Sequence, residues 1–134
     1  MEKIDYIVVE ANYAGVALIS NFIQKKCTHT NLSFKKSWEL LLTVDEICSI
    51  IVNCKKNEPN VIKVSWQDID NIIKIEIMDD GIPFNPLIFN PDEIDFGFGI
   101  DFIKVMVDYV EYKRENGYNI VILKKKRRKC KKSP

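Results

Sequence analysis

With 134 residues, the chain has room for one hydrophobic core and not for two. Its 46% apolar and 29% charged content is that of a soluble globular protein. The apolar runs are broken by Asp45, Glu46, Lys104 and Asp108 and fall short of a membrane span. The formal charge of +1 conceals an asymmetry. Residues 124–132 hold 8 of the 20 basic residues, leaving 12 basic against 19 acidic elsewhere, about −7. This composition reads as one domain over 1–123 followed by a solvated basic tail over 124–134. The run has no interleaved aromatics on which single-stranded nucleic acid could stack, which argues against that partner. The opening Met1-Glu2-Lys3-Ile4-Asp5 has neither the basic start nor the apolar core of a secretory signal. Cys27, Cys48, Cys54 and Cys130 show no metal-type pairing, so a reduced, cytoplasmic chain is expected.

Ile4–Val9 reads as a first strand, and Tyr13–Lys26 carries apolar residues near helical spacing. Residues 25–31 form a polar stretch holding His29, which has no ligand types beside it and reads as a surface residue; a short strand is expected over 31–34. Ser37 offers an N-cap for a second helix through about Cys54. That helix is apolar almost all round, which predicts deep burial and makes Asp45 and Glu46 conspicuous. Ile62, Val64 and Trp66 alternate with polar residues, as do Ile73, Ile75 and Ile77, and a turn over 67–71 joins them into a hairpin with one wet face. Residues 79–96 hold Pro83, Pro86 and Pro91 and form a long irregular connection. Gly97-Phe98-Gly99 opens a third helix to about Val107, and Tyr109–Arg114 and Tyr118–Lys124 flank the hairpin signal Asn116-Gly117. Trp38, Trp66 and Phe102 read as core, and Phe84, Phe89, Phe96 and Phe98 gather around the irregular segment.

Three groups in this order could converge. Glu46 lies on the apolar helix, Asp79-Asp80-Gly81 ends a strand, and Gly97 and Gly99 enter a helix, where backbone N–H groups can approach an anion. Each has a plain structural reading as well: a surface acid, a turn cap, a loose helix entry.

Taken together, Leu42-Thr-Val-Asp-Glu46-Ile-Cys-Ser-Ile50, Asp79-Asp-Gly81-Ile-Pro-Phe-Asn-Pro86 and Phe96-Gly97-Phe-Gly99-Ile100 resemble the motifs of the GHKL ATPase superfamily. Within it, the likeness is greatest to the anti-sigma regulatory serine kinases, and it extends from about Ile4 to Lys124. The resemblance implies a Bergerat-type α/β sandwich, with a mixed, mostly antiparallel sheet and three helices on one face. It implies ATP or ADP as ligand, with Asp79 accepting from the adenine amino group and Gly81 turning the chain beside the base. Gly97 and Gly99 would face the phosphates, and Glu46 would be the catalytic acid that polarises the attacking hydroxyl. It also implies a protein partner of the sigma-factor or anti-anti-sigma kind, and is compatible with a homodimer. Two positions depart from the pattern. Ile50 stands where the family has a magnesium-binding asparagine, and isoleucine offers no oxygen. Asn53, three residues on, is a weak substitute, so Mg2+ and phosphoryl transfer are in question. Phe96 stands where close relatives often have another glycine. A non-catalytic protein-interaction module with the same fold is the alternative.

Overall fold

In the computed structural model, which describes residues 4–54, 57–88 and 99–128, the elements run β1 (Ile4–Glu10), α1 (Tyr13–His29), α2 (Phe34–Asn53), β2 (Val61–Ile69), β3 (Ile72–Asp79), α3 (Ile100–Met106), β4 (Tyr109–Glu115), β5 (Tyr118–Lys126). The strands form one sheet in the order β1-β2-β3-β5-β4, and each of its pairings is antiparallel. Alternation along the strands puts Ile62, Val64 and Trp66 on the same face as Ile73, Ile75, Ile77, Val121 and Leu123, all of them buried. Ile19 and Ile23 of α1, Leu40, Val44, Ile47 and Ile51 of α2, and Ile103 of α3 close the core over that face. This is the expected two-layer α/β sandwich.

Both hairpins turn on residues that tolerate a positive φ. Asp70 and Asn71 sit at 50° and 69°, Asn116 and Gly117 at 54° and 84°, the pattern of a two-residue turn matched to strand twist. The first turn is therefore shorter than expected, and β2 and β3 are correspondingly longer.

Local chemistry overrides the expected pattern between the first two helices. The polar stretch over 25–31 is largely helical, because Cys27 continues the buried stripe Ile19, Ile23 by one more turn. His29 lies exposed on that last turn. No strand forms over 31–34. Asn31 takes φ 55°, and the Ser33 side chain, not that of Ser37, caps α2 by accepting from the Lys36 N–H at 3.2 Å. A cap of this kind contributes about 1 kcal/mol. Nor is α2 buried all round: Trp38 is 46% exposed and Leu42 40%. Trp38 is thus no core residue, whereas Trp66 is, and Phe102 packs at the core's margin. Asp45 accepts from the Ser20 hydroxyl at 2.8 Å and ties α2 to α1.

The basic run begins inside the sheet. Lys124, Lys125 and Lys126 are the last residues of β5. Lys125 points inward, where it pairs with Glu39 at 3.0 Å and donates to the Met106 carbonyl. Arg127 pairs with Asp68 at 3.2 Å. Cys27, Cys48 and Cys54 are buried free thiols, and burial, reinforced by the charges of Asp45 and Asp79, pushes the Cys48 pKa well up. Among the described residues, no helix is long and apolar enough to cross a membrane.

Candidate functional site

Asp79 and Asp80 are adjacent, so alternation sends them to opposite faces of the sheet, and they do different work. Asp80 is the turn cap: its carboxylate accepts from the backbone N–H groups of Asn60 at 2.7 Å and Val61 at 3.0 Å. Slight burial raises its pKa, but these donors outweigh that and hold it below the usual carboxylate value.

Asp79 ends β3 on the core face and is 1% exposed. One oxygen, Oδ1, accepts from the Gly81 N–H at 2.9 Å, the Asn119 amide at 3.1 Å and the Asn57 amide at 3.4 Å. The other, Oδ2, is buried and meets no donor among the described residues. Burial pushes the Asp79 pKa up in spite of the three donors. A buried acceptor without a partner is costly unless a ligand or a water completes it. The donors fix the carboxylate's plane and leave Oδ2 for an incoming N–H; Oδ1 of the neighbouring Asn57 is likewise buried and unpartnered among the described residues.

The supporting residues, Asn57, Asn119 and Arg114, gave no sign in the sequence. Asn119 lies on β5 directly opposite Asp79. Its oxygen accepts from the Phe84 N–H at 3.0 Å and the Tyr112 hydroxyl at 2.7 Å, while its amide reaches the Ile82 carbonyl at 2.8 Å as well as Asp79. One side chain thus fastens the segment after Asp79 to the sheet. Arg114 adds a bond to the Gly81 carbonyl at 2.8 Å. Gly81 is required by crowding: a Cβ there would lie 2.1 Å from Asn57 Oδ1 and 2.6 Å from the Asn57 carbonyl oxygen.

Glu46 is on the buried side of α2, 9% exposed, and its Oε2 accepts from the Gly99 N–H at 3.3 Å. Gly99 has φ 82° and ψ −171°, a conformation open in practice to glycine alone, and precedes α3. Helix α2 and the entry to α3 are thus brought together as expected. Gly97 and Phe96 lie outside the described residues, as do Phe89 and Phe98.

At the position of the missing asparagine, Ile50 is fully buried and packs with Cys54 and the partly buried Phe84. Asn53 is engaged elsewhere: its oxygen accepts from the Tyr13 hydroxyl and its amide donates to the Ser49 carbonyl at 2.7 Å. Among the described residues no three His, Cys, Asp or Glu side chains gather as a metal site. The residues fit a ligand N–H donor at Asp79. An apolar plug at Ile50 does not fit a hydrated, oxygen-seeking magnesium ion.

Comparison with known proteins bears on the fold and the family. A solved structure of the RsbU and RsbW domains of Rv1364c from Mycobacterium tuberculosis superposes with a TM-score of 0.70 at 10% identity. The match covers 92% of this chain and 32% of that one, so this chain spans about a third of the length of that protein and shares its fold over that part. No curated protein matches. The family model for the histidine kinase-like ATPase domain matches residues 9–125, from the end of β1 to the end of β5, and the chain belongs to that family.

Proposed function

We propose that this chain is a nucleotide-binding regulatory domain of the anti-sigma kinase type, which holds ATP or ADP by the adenine while phosphoryl transfer is disabled. The carrying observation is the buried Oδ2 of Asp79, an acceptor without a donor, held in place by Asn57, Asn119 and the Gly81 N–H. An adenine amino group supplies the missing donor. Gly99, and by its motif Gly97, would receive the phosphates. Glu46 stands beside Gly99 as the base for an attacking serine hydroxyl. Ile50 withholds the magnesium ligand on which that chemistry depends. A regulatory role through a protein partner of the sigma-factor or anti-anti-sigma kind, as a homodimer in the cytoplasm, follows from the likeness to that kinase group.

Titration calorimetry with ATP and ADP, with and without magnesium, tests the reading. Binding that is indifferent to magnesium and lost in Asp79→Asn is the expected result; no binding of either nucleotide overturns it. The Ile50, Cys54 and Phe84 cluster also favours a second reading, a non-catalytic protein-interaction module that retains the ATPase fold with weak or metal-independent nucleotide binding. Magnesium-dependent turnover that disappears in Glu46→Ala would refute both.

A further inference from the structure

The basic run and the exposed aromatics of α2 have no part in the nucleotide site, yet the fold brings them together. Where the C-terminal end of α1 meets the start of α2 there is an open cavity of about 590 Å³, lined in part by Cys27, Leu32, Phe34, Ser37, Trp38 and Leu41. Phe34 is 79% exposed and meets Trp38 edge-on, with ring centroids 6.1 Å apart. The apolar stripe continues beyond the cavity to Leu42, so Phe34, Trp38 and Leu42 run at i, i+4 and i+8 along about 12 Å of helix.

The surroundings of this groove are cationic. From Gln24 to Trp38 the chain has four lysines and a histidine and not one acid. The basic end of β5 is fastened against the same end of the molecule: Lys36 donates to the Lys126 carbonyl at 2.6 Å, and Arg127 donates to the Thr30 carbonyl. Of the acids near this region, Asp5 pairs with Lys26, Asp68 with Arg127 and Glu39 with Lys125, while Asp108 accepts from the Lys126 backbone N–H at 2.7 Å. Lys25, Lys35 and Arg128 are exposed.

We infer that this groove is a docking surface for an acidic amphipathic helix of a partner protein, whose apolar face lies on Phe34, Trp38 and Leu42 and whose acids meet Lys25, Lys35 and Arg128. The stripe is longer than the cavity, which favours an elongated partner over a small molecule. Its positive rim selects against basic partners and raises the association rate of acidic ones. Nucleic acid fits less well, because Phe34 and Trp38 stand at 73° to each other and cannot present parallel faces to successive bases. The inference is independent of the nucleotide site and stands or falls without it.

The test is a displayed library of helical peptides, about 12 residues or three turns long, panned on the whole chain and counter-selected on the Phe34→Ser/Trp38→Ser variant. Both substituted residues are exposed, and thermal unfolding verifies that the variant folds. Enrichment of net-negative sequences with apolar residues three or four apart is expected. A synthesised winner should shift the emission of exposed Trp38 but not of buried Trp66. It should bind at least tenfold more weakly to Phe34→Ser, and severalfold more weakly to Lys25→Glu/Lys35→Glu or at raised salt. Enrichment of neutral or basic sequences, or none above the counter-selection, overturns the inference. So does displacement of the winner by oligothymidylate, which gives the surface to nucleic acid. A dimer of the wild type that the double variant abolishes gives it to a second copy, and overturns the inference equally.

Discussion

The base side and the phosphate side of the candidate site are built in different ways. Around Asp79 a polar network crosses between β3, β5 and the segment that follows Asp79, and it leaves Asp79 Oδ2 and Asn57 Oδ1 without partners among the described residues. Around Ile50 the chain has packed isoleucine, cysteine and phenylalanine where a hydrated cation would need oxygen. Recognition of a base requires only a fixed acceptor and a gap beside it. Transfer of a phosphoryl group also requires charge neutralisation at the phosphates. One requirement can be lost without the other, and on the function proposed above the two ends of this site are where that separation would lie.

The largest combined effect, on stability and on nucleotide binding together, is expected from Gly81→Ala. Its Cβ would press on the Asn57 carbonyl, a backbone atom with little freedom to yield. Roughly 1–3 kcal/mol of stability should be lost, together with nucleotide binding, as read by chemical denaturation and calorimetry. Wild-type stability would show that residues 57 and 81 separate readily and that the base side is looser than described. Next comes Ile50→Asn, which tests the contrast from the other side. It should destabilise by a few kcal/mol, because an amide replaces a fully buried side chain. In return, nucleotide binding should become magnesium-dependent. Unchanged metal indifference would locate the defect elsewhere, with Phe96 the first suspect.

The two adjacent aspartates give a pH test with opposite signs. The folded pKa of Asp79 is raised, so the native state binds more protons than the unfolded chain; stability falls as pH rises above the ordinary value of 3.8 through the raised one. The folded pKa of Asp80 is lowered, so its contribution is present above 3.8 and disappears as pH falls through the lowered value. Asp79→Asn should flatten the first slope and Asp80→Asn the second, in denaturation curves collected across pH. A common slope in both variants would mean that the two carboxylates do not divide the roles of buried acceptor and turn cap. The smallest effect belongs to Arg114→Ala, which removes one bond to the Gly81 carbonyl, worth about 1 kcal/mol.

The position of Asp79 and Gly81 was legible in the sequence because its signal is local. A strand that ends in Asp-Asp-Gly must turn at the sheet's edge, and Asp79 and Gly81 are found there. What supports them was not legible. Asn119 and Asn57 are 40 and 22 residues from Asp79, and nothing in an isolated asparagine declares the strand register that brings it near. The strand expected over 31–34 failed for a different reason. Ser33 and Ser37 are equally good caps by type, and only the continuation of the buried stripe to Cys27 decides that α1 runs on and α2 starts early. The exposed Trp38 shows the limit of reading burial from residue type, since a two-layer fold covers only one side of each helix.

Cys48 offers a clock. Its thiol lies in the core between the helices and the sheet, fully shielded, with a pKa too high to supply much thiolate at neutral pH. A thiol reagent can reach it only when the chain opens, so in a Cys27→Ser/Cys54→Ser/Cys130→Ser background its alkylation rate reports the opening equilibrium at that depth. A ligand that binds the closed form slows alkylation by the factor 1 + [L]/Kd, without label, calorimeter or turnover. Even a domain that transfers no phosphate would then record, in the lifetime of one buried thiol, whether a nucleotide is bound.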